Sequence, residues 1–280
     1  MILVTGATGT VGREVARLLP AGQPVRIAAR DPARLADDVR GEVVRADYRD
    51  QPSLERALGG VRAVFLVTSR VGEDDARIIE AARRAGVGHV VKLSAASVAD
   101  PHADDLITRW QRVNEELLRG SGMDWTLLRP RSFMSNSLSW AASIRTEQVV
   151  RAVYGSSANA CVDPRDIAEV AVHALTEPGH TGVIHTLTGP EGITAAEQTA
   201  HLAAVLGRGI RFEELSPAQA RAGWLERYPE PLVEALLHSA RRQQAGAKAE
   251  VRDTVMDVTG RPATPFRTWA RDHRAAFGPA

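Results

Sequence analysis

The chain has 280 residues, enough for one large α/β domain or for a core that carries a smaller lobe. Its formal net charge is +1 and no basic block or aromatic–basic interleaving occurs, which argues against nucleic acid as a partner. One cysteine, Cys161, excludes an intrachain disulfide and reads as a small packed residue. No apolar run is long enough to span a membrane, so no membrane partner and a cytoplasmic location are expected. The first strand starts near Met1, which leaves no room for a signal peptide. Of 35 basic residues only Lys92 and Lys248 are lysines, a bias read as coding composition rather than function.

The first element is an apolar run, Met1–Thr5, which breaks into Gly6-Ala-Thr-Gly9-Thr-Val-Gly12 before a helical pattern begins. Strand, glycine turn and helix in that order are a dinucleotide-binding signal. Gly6 turns the chain, Gly9 lets backbone approach a pyrophosphate, and Gly12 allows close helix–sheet packing. Gly6, Thr8, Gly9, Thr10, Val11 and Gly12 are therefore the expected phosphate-facing residues, at the positive end of the helix. Further strands are expected at 24–29, 41–45, 63–68, 89–94 and 125–129, with helices at 53–58, 73–85 and 104–119 between them. This alternation predicts a Rossmann-type doubly wound parallel sheet, with its ligand outside the carboxyl ends of the strands.

The second half is less regular. Asp163-Pro164 opens a helix, Gly182–Thr188 and Arg211–Leu215 read as strands, and Thr194–Glu197 and Ser216–Gln219 each start a helix. Helices are also expected at 232–244 and 265–277. The expected organisation is a cofactor core over 1–130, with 163–190 returning to it, and a substrate lobe over most of 131–280. The eight histidines show no metal-ligand spacing, so no metal is expected.

Several segments together resemble one family: residues 4–12, Ala29-Arg-Asp-Pro32, Ala46-Asp-Tyr-Arg-Asp50, Leu93-Ser-Ala95, Ser121–Pro130, Phe133-Met-Ser-Asn136, Val162–Ala168 and Leu187-Thr-Gly-Pro190. The ordered set, over about residues 1–260, is similar to the NmrA-like branch of the atypical short-chain dehydrogenase/reductases. That branch contains triphenylmethane reductase, type 2 quinone oxidoreductases and redox-sensing regulators. The resemblance implies NAD(P)(H) and places Asp47 and Tyr48 near the adenine. Thr68 and Ser69 end the fourth strand, where the fold passes the cofactor ribose.

The end of the second strand lies beside the adenosine ribose, where an acid would favour NAD. Here Arg30 stands instead, a guanidinium suited to the 2′-phosphate, so NADP(H) is expected. Asp31 precedes Pro32 and reads as a helix cap. Arg13 is a second candidate for that phosphate. In short-chain reductases a serine at the position of Ser94 meets the substrate carbonyl, and a Tyr-x-x-x-Lys pair gives the proton. Alignment on Glu115 puts Ile107 and Gln111 at those two positions. The remaining catalytic candidates are Ser94, Tyr154 and Lys92. Phe133, Met134, Asn136, Trp140 and Trp224 are the expected substrate wall, suited to a flat apolar molecule.

Hydride transfer to a quinone-like or other conjugated acceptor, which delocalises charge and needs little acid help, is the leading expectation. An NADP(H)-sensing regulator with a protein partner is the alternative, and an isomerase or cyclase on the same fold is a third. A homodimer is compatible with either of the first two.

Overall fold

The computed structural model describes residues 1–68 and 71–278. In chain order the first half runs β1 (Ile2–Thr5), α1 (Thr10–Leu18), β2 (Val25–Ala29), β3 (Glu42–Arg45), α2 (Gln51–Leu58), β4 (Ala63–Leu66), α3 (Asp74–Arg84), β5 (His89–Leu93), α4 (Leu106–Arg119) and β6 (Asp124–Pro130). The second half adds α5 (Ala141–Glu147), β7 (Val149–Val153), α6 (Pro164–Thr176), β8 (Val183–Leu187), α7 (Ala195–Leu206), β9 (Arg211–Leu215), α8 (Pro217–Leu225), α9 (Glu230–Gln244), α10 (Thr254–Thr259), α11 (Phe266–Asp272) and α12 (Arg274–Phe277).

Seven strands form one sheet in the order β3-β2-β1-β4-β5-β6-β8. Pairing is parallel between β1 and β2, β1 and β4, β2 and β3, β4 and β5, and β5 and β6. β1 and β4 are wholly buried, as strands covered on both faces by helices must be. The order reverses at β1, so the crevice for a ligand opens where the carboxyl ends of β1 and β4 part.

The chain divides into two compact units. The first comprises Met1–Ala99, Thr108–Pro130 and Pro164–Thr186. Its core joins Leu54 and Leu58 of α2 and Ile78 and Ile79 of α3 to Leu3, Val64, Leu66 and Val90 of the sheet. Each such side chain contributes roughly 1.5–3 kcal/mol by leaving water. The second comprises Asp100–Ile107, Arg131–Asp163 and Leu187–Ala280. There β7 and β9 pair in parallel, from Val149 opposite Arg211 to Val153 opposite Leu215. Its core gathers Ile144, Cys161, Leu202, Phe266, Trp269 and Phe277.

Three details differ from the sequence expectation. β7, α5 and α10 form where no element is expected. The helix expected over 265–277 is two helices that break at His273. Met134, expected in a substrate wall, is 2 % exposed and sits in the second core, because the 3₁₀ turn over Met134–Trp140 points it inward.

Candidate functional site

Gly6 adopts φ 63°, and a Cβ there would stand 2.5 Å from Val67 Cγ1. A Cβ on Gly12 would lie 2.4 Å from the Gly6 carbonyl oxygen and 2.7 Å from that of Thr5, so α1 abuts the end of β1 only because Gly12 has none. Gly9 precedes α1 in extended conformation, its N–H donating to the Gly6 carbonyl at 2.8 Å. No side chain caps α1, and its first turn has no acid. Among the described residues, the first-turn N–H groups, from Thr10 through Val11 to Gly12, therefore have no side-chain acceptor beside the exposed Thr8 and Gly9.

The strand ends around this turn are tied together. Thr5 Oγ1 accepts from the Val67 N–H at 2.8 Å and lies 3.0 Å from the Phe65 carbonyl. Tyr48 follows β3 and is half-buried beside Thr5. Burial pushes its phenol up to about 12, Asp75 adds to the rise, and Thr5 and the Arg30 charge oppose it. The Asp47 carboxylate accepts from the Arg49 N–H at 3.0 Å, closing its own turn. Asp31 accepts from the Ala33 N–H at 3.3 Å with Pro32 first in a 3₁₀ turn, the capping role expected of it. Arg13 is held by Asp38, with Nη2 2.9 Å from both carboxylate oxygens. Arg30 is exposed and makes no hydrogen bond or ion pair among the described residues.

Two buried networks brace the crevice. Thr68 donates to Asp75 at 2.6 Å, and Lys92 Nζ donates to the other Asp75 oxygen at 2.7 Å. Asp75 and Lys92 are 0 % and 1 % exposed, and the Lys92 ammonium lies 5.7 Å from the Trp110 ring centroid. In the second network Glu115 of α4 accepts from Ser94 Oγ at 2.6 Å and from Arg129 Nε at 2.9 Å. The Ser94 proton is thus committed to Glu115, and Ser94 can accept a hydrogen bond but not donate one while that contact holds. Lys92 is buried and spends its ammonium on Asp75. In the sequence Glu115 stands out only as an alignment anchor, and a carboxylate on the inner face of α4 is the signal for its role. On the same helix Gln111 Oε1 and Asn114 Nδ2 are buried without a hydrogen-bond partner among the described residues. Ser69 lies outside the described residues.

The other expected residues belong to the second unit. Tyr154 follows β7 with φ 53°. Phe133, Trp140 and Trp224 are half-buried, and Asn136 is exposed. Trp140 packs against the core that holds Met134. Cys161 is buried, which pushes its thiol up to about 12, so it is packing and not a nucleophile. No group of metal-ligating side chains is found among the described residues, and no helix there is long and apolar enough to cross a membrane.

The uncapped α1 beside a side-chain-free Gly9, the unpaired Arg30 and the orphaned atoms of Gln111 and Asn114 suit a dinucleotide. Comparison with known proteins agrees. The NAD(P)H-binding family matches residues 6–178. The chain is 58% identical over 283 residues, covering 100% of both chains, to a (4-alkanoyl-5-oxo-2,5-dihydrofuran-3-yl)methyl phosphate reductase of Streptomyces griseus. It is 39% identical, again over 100% of both, to an NAD(P)H azoreductase of Xenophilus azovorans. Its structure matches the NADPH-dependent quinone oxidoreductase QOR2 of Escherichia coli, solved with NADPH, at TM-score 0.84 and 27% identity, over 97% of this chain and 99% of that one. The chain belongs to the NAD(P)H-binding family and is an NAD(P)H-dependent reductase of the quinone oxidoreductase and azoreductase type.

Proposed function

We propose that the protein reduces the conjugated carbon–carbon double bond of an electron-poor lactone, of the acyl-dihydrofuranone phosphate class for which the Streptomyces griseus relative is named, with NADPH as the preferred reductant. The observation that carries this is the commitment of Ser94 and Lys92 at the end of β5. Ser94 gives its proton to Glu115, Lys92 is sealed by Asp75, and α4 carries Ile107 and Gln111 rather than a tyrosine and a lysine. Such a site favours an acceptor that needs no positioned acid.

The lactone is such an acceptor. Its ring double bond is conjugated with both the ring carbonyl and the alkanoyl carbonyl. NADPH supplies the hydride, which adds to the carbon bearing the methyl phosphate arm. The electron pair moves to the neighbouring carbon as an enolate spread over two carbonyls, and that carbon later takes a proton from water. Gly6, Thr8, Gly9, Thr10, Val11 and Gly12 hold the pyrophosphate, Arg30 the 2′-phosphate, Asp47 and Tyr48 the adenine, and Thr68 and Ser69 the ribose. Gln111 and Asn114 offer an acceptor and a donor to the carboxamide end. Phe133, Asn136, Trp140, Tyr154 and Trp224 supply the substrate side, and a flat conjugated ring suits their faces.

NADPH absorbance followed against acyl-dihydrofuranones, quinones, azo dyes and simple ketones tests this. Conjugated lactones should be reduced efficiently and unactivated ketones hardly at all. Efficient ketone reduction would overturn the reading. Arg30→Ala should cost about tenfold or more in NADPH affinity and leave NADH affinity unchanged.

A further inference from the structure

Every exposed basic residue of this chain is an arginine, yet two lysines occur, and both are drawn inward. Lys92 has its carboxylate. Lys248 does not: its ammonium donates to the Ser239 hydroxyl at 2.8 Å. The loop that carries it is fixed, since its carbonyl accepts from the Ala160 N–H at 2.8 Å and the Arg252 N–H donates to Thr188 Oγ1 at 2.9 Å.

Arg242 and Arg131 act on this lysine and Arg252 acts on Arg131, and the carboxylates of the three arginines are unevenly spent. Arg242, 10% exposed, is paired with Asp100 at 2.5 Å. Arg252 is paired with Glu250 at 2.6 Å. Arg131 follows β6 directly, is 12% exposed, and comes no nearer than 3.9 Å to Glu250. Its Nε is buried with no hydrogen-bond partner among the described residues. Burial, and then Arg242 and Arg131, push the Lys248 ammonium down to about 8, with Asp105 the weakest of the acting charges and opposed to the fall. Burial also lowers Arg131, where Arg242 and Arg252 work against Glu250 and Asp100. Two inward cations are therefore short of negative charge. An open groove of about 430 Å³ lined by Glu234, His238, Arg241, Arg242 and Ala245 shares Arg242 with the cluster.

We infer that Arg131 and Lys248, flanked by Arg242 and Arg252, form a phosphate-monoester site in the second unit that holds the phosphate arm of the substrate. The assignment to the substrate rests on the phosphorylated-lactone reading above. A dianionic phosphate offers three acceptor oxygens. It satisfies the orphaned Arg131 N–H and the spare Lys248 protons together. An arginine fork and a lysine point charge divide that work as they do in other phosphate sites. The flat ring then needs only apolar walls, because its charged arm fixes the orientation.

With only two lysines, labelling lysine at ¹³Cε gives two NMR signals, which Lys248→Arg assigns. Methyl phosphate is the probe and methyl sulfate at equal ionic strength the control. The Lys248 titration should move upward by about a unit or more with methyl phosphate, while Lys92 stays still. No movement of Lys248 at rising methyl phosphate overturns the site. A second measurement takes the ratio of kcat/KM for the phosphorylated lactone over its dephosphorylated alcohol. Arg131→Met and Lys248→Met should each lower that ratio by about tenfold to a hundredfold, and Arg211→Gln on β9 should keep it. A ratio near unity in the unaltered protein also overturns the site, even where both lactones are reduced. If Lys248 responds to methyl phosphate but neither lactone is reduced, the site stands and the substrate reading falls. The unaltered protein decides both points should a variant fail to fold.

Discussion

Lys92 and Lys248 show two treatments of one problem, a cation drawn out of water. In the first unit Lys92 meets Asp75, which also accepts from Thr68, so charge and hydrogen bonds close within the protein. In the second unit Lys248 meets a hydroxyl and other cations. A closed network holds elements in place: α3 is pinned to β5 through one carboxylate. An open one costs stability while it waits for a ligand, the usual mark of a working site. The His180–His185 pair is a third treatment. Their ring nitrogens lie 3.0 Å apart, and burial first, then His180, pushes His185 down to about 4, so the ring folds neutral.

The sharpest way to break the contrast is to remove Lys92. Lys92→Met strands the Asp75 carboxylate and should cost about 3–5 kcal/mol in urea unfolding, and adding Asp75→Asn should recover much of it. Recovery of nothing would mean that Lys92 acts through packing alone. His185 comes next. Its folded value lies below the ordinary 6.5, so the unfolded chain binds more protons between pH 6.5 and 4. Stability should therefore fall as pH falls through that window, by about 2 kcal/mol, and His185→Gln should flatten the fall. Urea midpoints at half-unit pH steps would measure it. A smaller effect of opposite sign is expected for Lys248→Met: without phosphate, its stability at pH 7 should match or exceed that of the unaltered protein by up to about 1 kcal/mol. A loss comparable with that of Lys92→Met would make both networks structural. The smallest effect concerns Cys161, whose raised thiol should resist alkylation in the folded protein at neutral pH and react once urea unfolds it.

The cofactor unit is legible because its signals are local. The glycine turn, the strand runs and the Asp31-Pro32 cap each act within a few residues, so spacing reveals them. The capping boxes at Thr194 and Ser216 are read for the same reason. β7 escapes because its partner β9 follows some sixty residues later and a five-residue strand carries little period of its own. Met134 misleads because a 3₁₀ turn changes the face of each side chain from that of a strand or α-helix. Ser94 and Arg129 lie 21 and 14 residues from Glu115, and nothing local announces that one carboxylate accepts from both. The lysine scarcity is visible in the composition, but only the fold shows that both exceptions lie inside.

The second core is completed by Phe266, Trp269 and Phe277, on helices that pack against α5 and α7 much earlier in the chain, whereas the first unit draws only on residues up to β8. Synthesis proceeds from the amino end, and domains tend to fold as units as they emerge. The cofactor unit can thus take shape, and meet NADPH from the cell's pool, while the other unit still lacks its aromatic keystone. A nascent chain would then be loaded with reductant before it has a place for anything to reduce.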